Sequence, residues 1–559
     1  MKKNFGRKMA LILAATMTLC SACGSPAASG TTESDQTGTE NTTTVSDVTQ
    51  SGQTEYDADG FITTTADEPN VIDVVRFMGM ADRSVFYNIL EPLVRVENGV
   101  VVPAGAESYD VSDDGLTYTF HLRENYWEDG VKVTSSDYAE PLFRQADPEN
   151  AYNFASDIYC IKGFKDAYLN GADPKAIGVE TPDENTLVIT LSEASPALLS
   201  TFEFYPERAD YVEKYGDSLG SEADTIIGCG PFKVTSWVHN SELVFAKSDT
   251  YWDKDNVKIT GYACKIIPDS SAVYNSFIGG ELDYISTNDQ DYINALSLDD
   301  SLNSDLVEGA RTYMFLFNNA DDVFKNENIR LAFSLALDRE SILNELYSGL
   351  GVAAYGIIPA ASSVGDINYR GAVEEPLRAL SDKDAVELLK KGLDELGMST
   401  EPSDLTVKLA FGATTAKMKT IGEYYQAAWE KALGVNVELV FNDSGTHLGN
   451  IKSGDYQIAL ASWGSNLEPQ FVMTRFQGGG QLKAANADYD AAVAAAVVEA
   501  DETKRLEAYK EAEEILVGTA MIAPLYYSAT ERFSLKCIQG FSSNPFDTTG
   551  MKNMYVTGR

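Results

Sequence analysis

The sequence has few of the side chains that bind transition metals. Only three histidines occur among 559 residues, and no two of them are close in the chain. They are His121, His239 and His447. Beyond the N-terminal region the cysteines are widely spread and form no C-x-x-C pair, so the ligand spacing of a zinc site is absent. A haem or transition-metal function is therefore disfavoured, and no cofactor is expected.

The four cysteines of the main body leave two structural possibilities open. They are Cys160, Cys229, Cys264 and Cys537. In an oxidising environment four cysteines can form disulfides in three alternative pairings. Free buried thiols are the other possibility, and the sequence does not choose between them.

Basic residues are scarce relative to acidic ones. The chain has 43 Lys and Arg against 84 Asp and Glu, which gives a formal net charge of −41. A surface of this charge repels phosphate backbones, so nucleic acid is not expected as a partner. Solubility at an exposed surface is sufficient to explain the acidity, which by itself does not identify a cationic ligand.

Catalytic motifs are also lacking. The sequence has no G-x-x-x-x-G-K-[ST] phosphate-binding loop. Residues 216–220 match the G-x-S-x-G pattern of serine hydrolases, which needs a hydrophobic strand before it and a helix opening at the serine. Residues 211–215 are instead typical of a helix that ends at Gly216. An enzyme is therefore the least favoured class of function.

What the sequence does have is a distinctive N-terminus. Four basic residues within residues 2–8 precede an apolar run, residues 9–19, that is too short to span a bilayer as a helix. Ser21 and Ala22 then lead into Cys23. This order resembles a bacterial lipobox, in which the cysteine is lipidated and becomes the first residue of the mature protein.

Lipidation at Cys23 has two alternatives. Cys20 occupies the position where the lipobox pattern prefers Leu, and Cys20 itself as the anchor would place the bulky Leu19 at the cleavage site. An ordinary secretory signal with an incidental cysteine is the second alternative. Cys23 is preferred, which makes residues 1–22 a signal peptide and predicts a protein anchored by lipid on the outer face of the cytoplasmic membrane.

Residues 23–54 are predicted to be a flexible tether. After Cys23 the segment consists mainly of Ser, Thr, Gly and acidic residues with almost nothing apolar, so it cannot bury enough surface to fold. About 500 residues follow, which is too many for one hydrophobic core. A lipid anchor, a tether and a large soluble body together suggest a membrane partner close by.

The body alternates strand-like and helix-like segments, which predicts an α/β fold. Residues 118–123 alternate like a strand, and residues 180–191 are typical of a turn followed by a strand. Helical spacing of apolar residues covers residues 328–346 and residues 383–396, and residues 489–517 are rich in helix-forming residues. No internal repeat is visible.

Several segments, in this order, resemble the extracellular solute-binding proteins of family 5, which feed oligopeptide ABC transporters. The matching segments are I-L-E-P-L-V at 89–94, D-G-L-T-Y-T-F-H-L-R at 114–123, W-E-D-G at 127–130, G-C-G-P-F-K-V at 228–234, N-I-R-L-A-F-S-L-A-L-D-R-E at 328–340 and L-G-V-N-V at 433–437. The resemblance extends over roughly residues 70 to 555.

The resemblance implies a periplasmic-binding-protein-like fold with two ligand-binding lobes, a hinge and a third domain. One lobe is expected to be discontinuous, with residues 55–95, 230–312 and 533–559. The extra domain is expected at 96–229 and the second ligand-binding lobe at 313–532. Two hinge strands are expected near 310–318 and 527–535, and ligand is expected between the lobes, which close over it.

The resemblance also implies a binding segment around Trp463. In oligopeptide-binding relatives an extended peptide pairs with the backbone of this segment, and an aspartate after the Trp takes the peptide's α-amino group. Here the segment Ser462, Trp463, Gly464, Ser465 and Asn466 has no aspartate at that position. Asn466 offers hydrogen bonds but no charge, so capture of the peptide amine is weakened.

Aromatic side chains supply the other pocket residues that the resemblance implies. Tyr152 and Phe154 lie in a stretch that resembles a loop with a ligand-contacting tyrosine in relatives, and Phe154 aligns with that tyrosine but lacks its hydroxyl. Tyr274 and Asn275 precede a family segment of the discontinuous lobe. For Tyr274 a core position and a pocket position are equally compatible with the sequence.

The resemblance thus predicts a monomeric transport receptor that binds an oligopeptide and delivers it to an ABC transporter permease. Two alternatives within the same fold stay open. One is a non-peptide ligand such as an oligosaccharide, which aromatic faces could stack against. The other is a receptor that reports its ligand to a sensor without transport.

Overall fold

A computed structural model describes residues 56–97, 99–542, 546 and 550–559. The predicted signal peptide (1–22), the predicted lipidation site Cys23 and the predicted tether (23–54) lie outside these residues. The described part is a mixed α/β structure, as predicted.

A seven-stranded sheet runs through most of the described body. Its strands, from one edge to the other, are Tyr284–Thr287, Ile522–Leu535, Leu302–Phe317, Ile458–Gly464, Thr406–Phe411 and Asn436–Phe441, and Val352–Ala353 also pairs with Ile522–Leu535. Two of these strands are much longer than the others and pair antiparallel along most of their length. We call Leu302–Phe317 and Ile522–Leu535 the crossing strands.

Two four-stranded sheets complete the larger strand structure of the described residues. The first contains Phe61–Ala66, Gly261–Ile266, Glu242–Lys247 and Phe232–Val238. The second contains Ala106–Val111, Thr117–Leu122, Thr186–Thr190 and Val179–Asp183. Short two-stranded pairs are Val94–Glu97 with Val100–Pro103, Ser363–Val364 with Ile367–Asn368, and Ile538–Gln539 with Tyr555–Val556.

Helices cover the sheets and fill the connections between strands. The α-helices are Met80–Ile89, Ser135–Ala146, Phe164–Asn170, Leu198–Thr201, Ala209–Tyr215, Ser270–Ile278, Gln290–Leu296, Glu327–Leu335, Arg339–Leu346, Tyr369–Ala372, Ala385–Glu395, Ala416–Leu433, Ser444–Ser453, Gln470–Met473, Ala487–Val498 and Glu502–Gly518.

We call the first four-stranded sheet, with the adjoining half of the crossing strands, the first lobe. The rest of the seven-stranded sheet with its helices is the second lobe, and the second four-stranded sheet with its helices is the third domain. In the second lobe, alternate residues of the crossing strand face two different apolar cores. Phe315 and Phe317 lie in one core, while Met314 and Leu316 lie in the other. The residue boundaries between these three parts stay a prediction.

Two local predictions were wrong. The helical pattern at 328–346 is broken into two helices, because the Asp338 side chain accepts a hydrogen bond from the Ser341 backbone and so starts a new helix. Residues 180–183, predicted as a turn, belong to the strand Val179–Asp183, which pairs with Thr186–Thr190. The turn lies instead between these two strands.

Other local features follow from the residue types at their positions. Gly397 follows the helix Ala385–Glu395 and has a φ of +68°, which suits a helix end. Trp127 is buried, and the turn after it ends at Gly130 with its N–H bonded to the Trp127 carbonyl. A Cβ at Gly228 would come within 2.6 Å of the Ile89 carbonyl oxygen, so the close backbone approach requires glycine there.

The two ends of the described body meet in the first lobe. The Asp57 N–H donates to the Val556 carbonyl, and the Asp57 carboxylate accepts from the backbone N–H groups of Gly558 and Arg559. The Arg559 guanidinium also pairs with Asp283. Residues at the far end of the sequence therefore complete the lobe in which the described chain begins.

The cysteines of the body are unpaired. Cys229 is buried, and Cys160, Cys264 and Cys537 are half-buried, all as free thiols. Of the two possibilities that the sequence left open, the structure has the free thiols.

Candidate functional site

The crossing strands lose their regular register at two places, and the larger of the two shifts lies between Glu308 and Thr312. Glu308 pairs with Ala529 and Thr312 pairs with Tyr527, so three residues of one strand stand opposite Ser528 alone. A Cβ at Gly309 would collide with the Ser528 hydroxyl oxygen and lie 3.0 Å from the Ser528 carbonyl oxygen, so a larger residue there requires Ser528 to move. An irregularity of this kind bends and twists a strand pair locally. It lies at the start of both predicted hinge windows, between the two lobes.

A cavity of about 440 Å³ opens on one face of the crossing strands. Its walls include the end of the strand Phe61–Ala66 and the start of the helix Met80–Ile89. Phe245, Tyr262 and Met554 supply apolar surface. We call this space the first cavity.

Polar and charged side chains enter the first cavity from the crossing strands. Ser528, Thr530 and Arg532 alternate along one strand and all line it, which is expected for side chains on one face of a strand. Glu308 and Asp67 are the acids among the lining residues, and both are exposed. The cavity thus combines an apolar wall with a row of hydrogen-bonding groups.

A second cavity, of about 810 Å³, lies on the opposite face of the same strands. Leu306 and Tyr527 line it. Tyr527 comes directly before Ser528 in its strand, so the two side chains point to opposite faces of the strand pair. Its far wall is the loop 359–361 with Arg370 and Glu375 of the second lobe. Glu308 and Gly309 line both cavities, so the two spaces meet at the register irregularity.

The predicted segment Ser462–Asn466 lies beside this irregularity. Gly464 pairs with Arg311, and the Ser465 N–H donates to the Ala310 carbonyl at 2.6 Å. The Ser462 hydroxyl accepts from the Arg311 guanidinium at 3.0 Å. The segment is therefore at the junction of the lobes, although none of its residues lines either cavity.

One edge of this strand is open. The strand Ile458–Gly464 pairs with Thr406–Phe411 only at Ile458 and Ala459. The next carbonyl, of Leu460, accepts from the His447 imidazole at 2.9 Å. From Ala461 onward the ladder on that side has ended, which leaves a strand edge of the kind to which an extended ligand can add.

Trp463 is half-buried next to the second-lobe core. Its indole N–H donates to the Gln481 side chain at 3.1 Å, and the Arg475 guanidinium lies 5.8 Å from its ring centre. These contacts hold the indole in place without burying it completely. Whether it meets a ligand stays a prediction.

Asn466 and Arg475 connect the second lobe to the third domain. The Asn466 amide donates to the Thr201 carbonyl at 3.2 Å, and Arg475 pairs with Asp157 at 3.2 Å. Burial raises the pKa of the Asp157 carboxyl, and the Arg475 charge opposes that shift. Asn466 therefore contacts the third domain at the position where the resemblance implies an amine-binding acid, and its side-chain oxygen carries no charge.

The structure packs the predicted aromatic loop residues against other aromatic rings, with Tyr152 buried and Phe154 half-buried. Tyr152 is only 2% exposed, its backbone carbonyl accepts from the Tyr168 hydroxyl, and burial raises its pKa. Phe154 stacks on Phe77 with ring centres 4.9 Å apart. Neither residue lines either cavity, so Tyr152 and Phe154 are brought together with each other but not with Trp463.

Tyr274 and Asn275 are also apart from the cavities. They lie on the helix Ser270–Ile278, where Tyr274 stacks on Tyr292 at 4.6 Å and Asn275 is exposed. Neither lines the first or the second cavity. Tyr274 is half-buried against a small apolar core, so the choice between a core and a pocket position for this residue stays a prediction.

The sequence reasoning missed the residues that line the first cavity. Arg532, Thr530 and Ser528 lie on one face of a strand that was predicted only as a hinge. Their alternation in the sequence was the available signal. Asp67 and Glu308 carried no signal, because they are two of 84 acidic residues in the chain.

The G-x-S-x-G match has the structure that was expected. The helix Ala209–Tyr215 ends at Gly216, and the Ser218 hydroxyl donates to the Tyr215 carbonyl at 2.7 Å. No strand leads into the serine, since a helix precedes it.

Within the described residues, His, Cys and acidic side chains form no group of three or more suited to a metal ion. In the same part of the chain, none of the helices has the length and apolar character needed to cross a bilayer.

Comparisons with known proteins define the class to which this two-lobed structure belongs. The model of the bacterial extracellular solute-binding proteins, family 5 Middle, matches residues 100–483. The chain belongs to this family, which consists of solute-binding proteins of transport systems and not of enzymes.

Individual relatives agree with this. The chain is 31% identical over 478 residues to the dipeptide-binding protein DppE of Bacillus subtilis (strain 168), covering 83% of this chain and 86% of that protein. It is 30% identical over 468 residues to the oligopeptide-binding protein OppA of the same organism, covering 80% and 84%. A crystal structure of Haemophilus influenzae OppA in complex with RPPGFSPFR is 25% identical, with a TM-score of 0.73, covering 90% of this chain and 100% of that one.

Proposed function

We propose that this protein captures an oligopeptide between its two lobes and delivers it to the permease of an ABC transporter. The observation that carries the proposal is the cavity of about 440 Å³ at the crossing strands, in a chain whose relatives are named as dipeptide- and oligopeptide-binding proteins. The site lies where the lobes join. Ligand bound there contacts both lobes and stabilises their closed arrangement.

The chemistry of the site suits a peptide. A peptide presents a regular row of backbone donors and acceptors and a set of variable side chains. The open edge of the strand after Ala459 offers backbone groups, and Ser528 and Thr530 offer hydroxyls. The apolar wall with Phe245 and Tyr262 offers space for a side chain.

A sugar ligand has less support. That alternative depended on aromatic faces in the loop with Tyr152 and Phe154, and those faces pack against other side chains of the protein. A peptide needs no exposed aromatic face.

The proposal includes a lipid anchor at Cys23 and the tether that follows it. Two acyl chains hold a protein stably on a membrane, and a flexible tether keeps the binding body at high local concentration near its permease. Cys23→Ser should release the protein from membranes into the medium. If the Cys23→Ser protein stays on the membrane while Cys20→Ser releases it, the anchor is Cys20.

Mass spectrometry of the ligand that co-purifies with the full chain tests peptide binding directly. Peptides identified in this way are then titrated against the ligand-free protein. A ligand at about 100 times its dissociation constant should add about 2.7 kcal/mol to the free energy of unfolding, because it binds the folded chain and not the unfolded one. Small-angle scattering should report compaction on saturation. If no peptide co-purifies and none in a random peptide library stabilises the protein, the proposal is wrong.

A further inference from the structure

Arg532 is a buried cation in the wall of the first cavity. Its side chain is 9% exposed. Among the described residues that line this cavity it is the only cation. In a chain with a formal net charge of −41, a buried guanidinium at the proposed binding site requires an explanation.

The partners of Arg532 leave part of its bonding capacity unused. One terminal nitrogen pairs with the Asp305 carboxylate at 3.5 Å, and that carboxylate is 53% exposed. The guanidinium carbon lies 4.0 Å from the centre of the Phe541 ring. The buried Nε has no hydrogen-bond partner among the described residues. A guanidinium has five N–H donors, so one long ion pair with a solvated acid does not satisfy it.

The neighbouring groups of the cavity orient a ligand toward this guanidinium. Thr530 lies two residues away on the same strand face, and Ser528 lies two residues further. The acids Asp67 and Glu308 are exposed, whereas Arg532 is buried. A molecule with separated charges can therefore place its negative end at Arg532 and its positive end toward the exposed acids.

We infer that Arg532 binds a carboxylate of the ligand and so makes the first cavity selective for peptides with a carboxylate at that position. The inference rests on the proposed function and adds the substrate class to it. The carboxylate is either an acidic side chain or the C-terminus of a short peptide, since both present the same two oxygens. Arg is suited to this because its planar fork can donate two parallel hydrogen bonds to a carboxylate.

Two sets of peptide pools separate these sources in titrations of the full-length protein. One set contains random tri- to pentapeptides that differ only in Glu against Gln. The other set has free C-terminal acids against C-terminal amides. The wild-type protein should prefer the carboxylate form in one of the two sets by about tenfold or more, which is about 1.4 kcal/mol. Equal affinity in both sets would overturn the inference.

Arg532→Gln should abolish that preference by lowering the affinity for the carboxylate pool. Preference that persists in a folded Arg532→Gln protein would overturn the inference. Asp305→Asn is the companion variant, and it removes the competing acid from a partly exposed site. It should strengthen binding of the preferred carboxylate pool by about two- to fivefold, the range typical of a solvent-exposed ion pair. If Arg532→Gln does not fold, an unchanged preference in Asp305→Asn would overturn the inference.

The failure of the inference is distinguishable from the failure of the proposed function. If neither pool of either set binds the wild-type protein, peptide capture itself is wrong. If all pools bind equally well, peptide capture stands and Arg532 has only a structural role with Asp305 and Phe541.

Discussion

The two regions that the family motifs marked as binding segments have very different surroundings. The segment Ser462–Asn466 lies at the junction of the lobes, with a half-buried indole and an open strand edge. The stretch with Tyr152 and Phe154 packs against Phe77, with Tyr152 almost completely buried and Phe154 half-buried. The first region has capacity for a ligand, whereas the second has used its aromatic rings for packing.

The difference teaches which part of a resemblance can be carried over to a new sequence. The end of a strand is fixed by its ladder, so its position beside the crossing strands follows from the fold. A loop aromatic can turn inward or outward without changing the fold. The strand-end segment is therefore the better basis for a site, and the predictions below test this contrast.

The largest effect is expected for Tyr152→Ala. Because the ring is buried, its removal should lower the free energy of unfolding by about 3–5 kcal/mol, as for other large aromatic side chains in cores. Denaturant unfolding measures this loss, and Tyr152→Phe serves as the control that keeps the ring. A Tyr152→Ala protein with wild-type stability and weakened peptide binding would show that the residue belongs to the pocket.

A second test concerns the charged interior next to the third domain. Glu207 and Asp73 are both buried and both pair with Arg144. Burial raises the pKa of Glu207 to about 7. The Glu207 carboxyl therefore stays protonated in the folded state at pH values where it is already ionised in the unfolded chain. Its contribution to stability falls as pH rises from about 4.5 to about 7.

Glu207→Gln should remove this pH dependence. The stability of the wild type relative to the variant should decline between about pH 4.5 and about pH 7 and stay level above that range. Urea midpoints at a series of pH values measure it, with Glu213→Gln at an exposed position of the same domain as the control for losing one acid. A difference that increases with pH across this range would contradict the raised pKa.

Trp463→Ala should separate binding from stability. The indole is half-buried, so its loss should lower the free energy of unfolding by less than the about 3–5 kcal/mol expected for a core tryptophan. Peptide affinity should fall by about tenfold, or about 1.4 kcal/mol. Trp429→Ala is the matched control, since Trp429 is fully buried in the same lobe and its indole donates to the Phe333 carbonyl. A large melting loss with unchanged affinity in Trp463→Ala would place this residue with the core.

The smallest effect is expected for acetylation of the peptide's N-terminus. Asn466 supplies no charge, so its side-chain oxygen offers an amine only a neutral hydrogen bond. N-acetylated peptides should therefore bind nearly as well as free ones. A loss of tenfold or more, about 1.4 kcal/mol, would mean that another acid takes the amine. Glu308→Gln and Asp67→Asn would then identify which acid of the first cavity does so.

Much of the fold could be predicted from the sequence because its signals are local. Helix ends such as Gly397 and buried anchors such as Trp127 depend on a few neighbouring residues. The break at Asp338 could not be predicted from apolar spacing, because the apolar pattern continues on both sides of the new N-cap. The strand at 179–183 could not be predicted either, because its partner rather than its own residues makes it a strand.

The site could be predicted only in part. The motif placed Ser462–Asn466 beside the crossing strands, since that position follows from the family fold. The lining of the first cavity comes from segments that are far apart in the sequence, such as Asp67, Glu308 and Arg532. Their proximity depends on how the first lobe packs against the crossing strands, and no local pattern in the sequence reports that packing.

The meeting of the two ends of the described body has a consequence for the order of assembly. Asp57 is among the first residues of the described body, and its hydrogen-bond partners Val556, Gly558 and Arg559 lie about 500 residues further along the chain. The first lobe therefore cannot be completed until the polypeptide has been made as far as these partners. The third domain is made entirely from residues between these points and can fold while the rest is still in transit. With the export proposed above, the first lobe is completed only after these partners have crossed the membrane.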